Sequence, residues 1–195
     1  MPGAAHFDAL PGEDDPSLRS EVADRCARLL VRGAHDTDDE QVVARVVTLG
    51  DSEGLDTLAS LWAGSPADSL AGCLWRLYIL RAWVYADPAG AAREFTEGRR
   101  HAPVHEAIAG VVDPPGPDEV RRLVDLVLRG VVQGDFADTL YRAAAFARVA
   151  AAGRAHLGGS GDHSAYASDL SAAKLVTTAQ QLEHAARLEL DGKLA

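Results

Sequence analysis

The sequence predicts an all-α protein, a helical bundle or short α-solenoid of about eight or nine helices, and three observations carry that prediction. No segment alternates polar and apolar residues between turn signals. The valine-rich runs Val42-Val43 and Val46-Val47 fall instead at the three-to-four spacing of one helix face. Aromatic residues are only 6% of a chain that is 47% hydrophobic. Alanine, leucine and valine must therefore fill the interior, which suits close helix packing better than sheets built on aromatic and β-branched residues. Finally, proline and N-cap residues recur at one end of apolar periodic stretches and glycine at the other, as helix starts and stops require.

Residues 1–15 hold Gly3, Pro11, Gly12 and three consecutive acids, Glu13 to Asp15, and read as a disordered tail. A first helix is expected from Pro16 to Arg32, with Val22, Cys26, Leu29 and Leu30 on one apolar stripe and Gly33 past its end. A second is expected over about 38–49 and a third over 52–63, separated by Gly50 and ended by Gly64. Ser65 reads as the N-cap of a long helix to Ala86, with Pro66 in its first turn. Apolar nearly all round, it is the expected central, buried helix. After Asp87-Pro88 a helix to Glu97 leads into the basic turn Gly98-Arg99-Arg100-His101. Further helices follow over 104–112 and 117–132, then a long one from Phe136 to His156 capped by Asp135. Gly158 to Asp162 read as a flexible joint over 158–164. The region 165–195 carries a last amphipathic helix, to Leu190, able to dock on its own bundle or on a second chain.

A faint duplication overlays this order. Sliding the chain by 66 residues matches ten of the 50 positions from 40 to 89, among them Gly50/Gly116, Gly64/Gly130, Leu74/Leu140 and Arg76/Arg142. Trp75/Tyr141 is a similar pair in the same signature. The domain reading is a helical region over 16–157 with two similar three-helix units, about 38–89 and 104–157.

A net charge of −10 argues against a nucleic-acid partner, whose phosphates call for Lys and Arg. For the same reason a helical transcriptional regulator is only the third functional reading; no basic recognition helix is visible. Nearly all positive charge is arginine, with lysine only at Lys174 and Lys193, a usage typical of a GC-rich bacterial genome. Met1 to Asp15 lacks the basic and apolar parts of a signal peptide, and no run of about 18 apolar residues exists. The expectation is a cytoplasmic protein, with Cys26 and Cys73, which lack CxxC spacing, as reduced, small hydrophobes.

Few residues suggest chemistry. Arg76 and Arg81 lie on the most apolar helix, where a guanidinium needs a carboxylate; Asp56, Asp68, Asp125, Asp138 and Glu94 are the candidates. Matched arginines at 76 and 142 fit equivalent ion pairs. Alternatively Arg76 and Arg142, with Trp75, Tyr78 and Tyr141, line a site for an anionic ligand between the two units. A basic cluster, Arg93, Arg99, Arg100, His101 and His105, is a solvated loop or a contact for an acidic partner or phosphate. His101 and His105 stand four apart, but Pro103 interrupts them and there is no HExxH, so neither metal nor cofactor is expected. Gly158-Gly159-Ser160-Gly161 lacks the Lys-Ser/Thr ending of a phosphate loop. No nucleophile has a catalytic setting. The leading reading is a non-enzymatic adaptor or accessory subunit acting through protein contacts, with a homodimer through the C-terminal helix as one form. The alternative is a binder of small anions, or an enzyme acting on them.

Overall fold

The computed structural model describes residues 16–32, 55–102, 116–133, 135–157 and 171–195. Over these residues the chain is all-α, with no strand among them. They form α1 (Pro16–Val31), α2 (Leu55–Trp62), α3 (Leu70–Ala86), α4 (Pro88–Arg99), α5 (Pro117–Gln133), α6 (Phe136–His156) and α7 (Ala172–Leu190). The helices expected over 38–49 and 104–112, the tail 1–15 and the joint 158–164 lie outside the described residues, which hold seven helices.

Local chemistry explains the helix ends. Asp87 caps α4 by accepting from the Gly90 N–H at 2.8 Å, and Pro88 occupies the first turn, where its missing N–H costs nothing. Asp135 caps α6 through the Asp138 N–H at 3.1 Å, as its sequence position predicts. Ser171 caps α7 through the Lys174 N–H at 3.3 Å, so the described part of that helix starts at Ala172.

One start differs from expectation. Ser69, not Ser65, caps α3: its hydroxyl oxygen accepts from the Gly72 N–H at 3.1 Å and donates to the Pro66 carbonyl at 2.9 Å. Gly64, at φ +85°, reverses the chain after α2, a conformation glycine takes without steric cost. Residues 65–68 then fold back on the helix they precede. A Cβ on Gly72 would stand 1.7 Å from the Pro66 oxygen, so the side-chain-free residue makes this approach fit.

The centre of the molecule is α6, not α3 as the apolar circumference of α3 predicts. Of its 21 residues, 14 are buried, against nine of 17 in α3. Size decides the difference. Ala143, Ala144, Ala145, Ala147, Ala150 and Ala151 are all buried and let neighbouring helices approach on several sides, whereas Trp75, Tyr78 and Ile79 leave α3 half-exposed at those positions. Helices α4 and α7 make the largest contacts with α6, and α5 and α3 complete its surroundings. Phe146 of α6 stacks on Phe95 of α4 at 5.3 Å and meets Trp83 of α3 at 5.9 Å, joining three helices in one aromatic cluster. Truncating Phe146 to alanine is expected to cost about 3–5 kcal/mol.

The stripe Leu175, Ala179, Leu182, Ala185 and Ala186 of α7 is buried inside the chain. Arg148 of α6 donates to both carboxylate oxygens of Glu183 at 2.5 and 2.6 Å. Beyond α7, Leu194 is buried and the Ala195 carbonyl accepts the Leu70 N–H at 2.8 Å, supplying an acceptor for one free donor at the start of α3.

Candidate functional site

The outer face of α1 departs most from an ordinary helix surface. Its inner face is small: Ala23, Ala27 and Val31 are buried, four residues apart and so on one side of the helix, where α1 meets α3, α2 and α5. The stripe singled out in the sequence points elsewhere. Val22 is 54% exposed and Leu29 62% exposed, while Cys26 and Leu30 at its edge are half-buried. Seven residues separate Val22 from Leu29, so they lie two turns apart on one line.

Arg25 and Arg28 are exposed beside that line and make no ion pair among the described residues. Arg32, at the end of α1, is committed: its guanidinium grips both oxygens of Glu189 on α7, one at 2.5 Å. The bond to Glu189 raises the Arg32 pKa above its ordinary value. This pair sets the end of α1 beside the end of α7, where Leu190 is 66% exposed. Exposed aliphatic side chains and unpaired guanidinium groups thus share one edge of an otherwise strongly acidic protein.

The arginines singled out in the sequence bond to different groups. Arg142 is exposed and pairs with Asp138 one turn back on α6, at 2.8 Å. Arg76 is half-buried; its Nε donates to Gln181 Oε1 of α7 and its Nη1 to the Gly72 carbonyl, both at 2.7 Å. The 66-residue offset explains the contrast, because Gly72 stands where Asp138 stands in the second segment. Burial lowers the Arg76 pKa, opposed by Cys73 and Asp68; the group stays cationic at neutral pH. Trp75 and Tyr78 stack at 5.6 Å and 23°, and Tyr141 is half-buried on α6. None of these five residues lines the open cleft beside α4 or the small void among Leu77, Leu123 and Phe146.

Two other sequence candidates are in ion pairs. Arg81 pairs with Asp125 of α5 at 3.1 Å and covers the Tyr85 ring at 4.0 Å, and Tyr85 donates to the second Asp125 oxygen at 2.6 Å. Glu94 serves Arg154 in a buried two-bond pair at 2.8 and 2.9 Å, with the guanidinium 4.9 Å from the Trp83 ring centre. That pair joins residues 60 apart in sequence and has no local signature.

The basic cluster divides. Arg100 pairs with Glu97 at 2.8 Å, and His101 lies 3.4 Å from the same carboxylate. The His101 ring stacks on His156 at 3.6 Å and 8°, joining the ends of α4 and α6. His105 lies outside the described residues. No group of three or more metal-ligating side chains occurs among the described residues. Arg93 is exposed at the rim of an open cleft of about 470 Å³ between α4 and the start of α5. A second void, about 10 Å³ among Leu77, Leu123, Phe146 and their neighbours, is a packing defect of about the size of one water.

Cys26 and Cys73 are both free thiols. Burial pushes the Cys73 thiol up to about 12, partly offset by Arg76. Burial also raises Cys26. Neither thiol resembles an activated nucleophile, which needs a lowered pKa. No helix among the described residues is long and apolar enough to cross a membrane. Comparison with protein-family models, with curated proteins and with solved structures gave no match.

Proposed function

We propose that this protein is a non-enzymatic helical adaptor or accessory subunit that binds a protein partner through the outer face of α1. The outward turn of an apolar stripe on a well-packed helix carries the reading: Val22 and Leu29 face solvent while alanines fill the inner face. Scattered single apolar residues on a surface are ordinary. Two on one helical line, flanked by guanidinium groups that have no ion pair among the described residues, match the composition of a contact core with an arginine rim.

Arg25 and Arg28 on this face have no ion pair among the described residues and outnumber the one exposed acid there, Glu21, so a partner with acidic residues around an apolar ridge is complementary. An amphipathic acidic helix presents that chemistry, laid against α1 with anchors at three-to-four spacing. The test is to purify tagged wild-type protein and the Val22→Glu/Leu29→Glu double variant from the native host and compare what co-purifies. The expected result is a stoichiometric partner lost in the variant, with an unchanged circular dichroism spectrum and melting temperature. A partner set indifferent to both substitutions, or no partner for either protein, would overturn the proposal.

A further inference from the structure

The cleft beside α4 offers an open hollow of definite volume with a guanidinium, Arg93, at its rim. Its walls are mostly apolar, formed by Ala89 and Ala92 of α4, Pro117 of α5 and Leu157 after α6. Leu157 is 44% exposed and contributes a large aliphatic side chain to the wall. The volume of about 470 Å³ falls within the roughly 300–1,000 Å³ of small-molecule sites.

Charges around the cleft are committed, with one exception. Glu97, in its wall, is engaged by Arg100 at 2.8 Å. Glu119, at the start of α5, accepts the Gly116 N–H at 3.0 Å and pairs with Arg122 at 2.7 Å. The Thr96 hydroxyl donates to the Ala92 carbonyl at 2.8 Å, so it has no proton to offer a ligand. Of the charged side chains that line the cleft, Arg93 is the one with no ion pair among the described residues.

We infer that this cleft binds a small monocarboxylate with an apolar body, its carboxylate on Arg93 and its hydrocarbon against Ala89, Ala92, Pro117 and Leu157. A guanidinium presents two parallel N–H groups that match the two oxygens of a carboxylate. One such group neutralises one negative charge. A phosphate dianion would leave charge unanswered beside Asp118 and Glu119 in the first turn of α5, and a cation would meet Arg93. The site shares no residue with α1, so this inference stands or falls separately from the partner reading.

Isothermal titration of the intact chain with octanoate, octanol and octylamine tests it. Saturable binding of octanoate only is expected. Arg93→Gln is expected to weaken it by about tenfold or more, the loss of a charge-assisted hydrogen-bonded pair, and Ala89→Trp to block it by filling the cleft. Val22→Glu/Leu29→Glu should leave it unchanged. Absence of saturable octanoate binding, equal binding of octylamine, or affinity unaltered in Arg93→Gln would each overturn the assignment.

Discussion

Gly98 and Gly153 hold α4 and α6 in backbone contact. A Cβ on Gly98 would lie 1.8 Å from the Val149 carbonyl oxygen, and one on Gly153 would lie 1.7 Å from that of Glu94. Each glycine is fitted against the other helix's main chain, which cannot swing aside as a flexible side chain does. Glycine inside a helix ordinarily costs about 1 kcal/mol relative to alanine. Here the sign reverses: Gly153→Ala is expected to destabilise the protein by about 3 kcal/mol, because the helices must separate. Urea denaturation reads this directly, and a stabilised variant would refute the close crossing.

The Glu94–Arg154 pair lies at that crossing, with both residues buried. Removing one charge strands the other, so Arg154→Met is expected to cost about 3–5 kcal/mol. Removing both is milder. The Glu94→Leu/Arg154→Met double variant should recover most of the loss, because neither side chain then needs solvent or a counter-charge. A double-mutant cycle in urea checks it; additive losses would show that the pair is not coupled.

Alkaline pH should weaken the fold through Cys73. The thiol ordinarily ionises near 9, and burial pushes it up to about 12. Between those values the unfolded chain releases a proton that the folded chain keeps. The stabilisation is therefore fully present below pH 9 and is lost as pH rises toward 12. Tyr85, raised by its bond to Asp125, and Cys26 act in the same direction. Cys73→Ala should flatten the decline in melting temperature over this window. At pH 8 a thiol reagent should label Cys26 well before Cys73, which is fully buried.

Arg76 and Arg142 should behave unequally despite their matched positions. Arg142→Ala removes an exposed pair of one helix turn, so a change within about 0.5 kcal/mol is expected. Arg76→Ala leaves Gln181 without its bond between α3 and α7, and a loss of about 1–2 kcal/mol is expected. Thermal denaturation of the two single variants compares them; equal effects would contradict the different partners.

The sequence made local features legible and tertiary ones largely illegible. Asp87-Pro88 and Asp135 mark helix starts through side chains that bond within one turn, and both appear where expected. The start of α3 lies beyond Ser65-Pro66, the expected cap, because Ser69 takes that role and Gly72 lets the preceding turn approach the helix. Periodicity showed that α1 has an apolar stripe, but not that alanines on the other side would fit the core more closely. Arg81 and Asp125 could be nominated as partners, yet Glu94 could not be assigned to Arg154 across 60 residues. The stack of His101 on His156 likewise exists only once two helix ends meet. The Arg93 cleft left one trace in sequence, a basic residue in a cluster, with nothing to separate it from its paired neighbours.

The bond between Arg32 and Glu189 spans 157 positions of the chain. Closing so large a loop is entropically costly and slows the step that requires it. The contacts among α4, α6 and α7 span shorter separations and can form first. Helix α1 would then be anchored at its far end only after α7 is in place, so the edge proposed to bind a partner is completed late in folding. A nascent or partly unfolded chain would lack that edge, and recognition through it would report that the rest of the molecule has already formed.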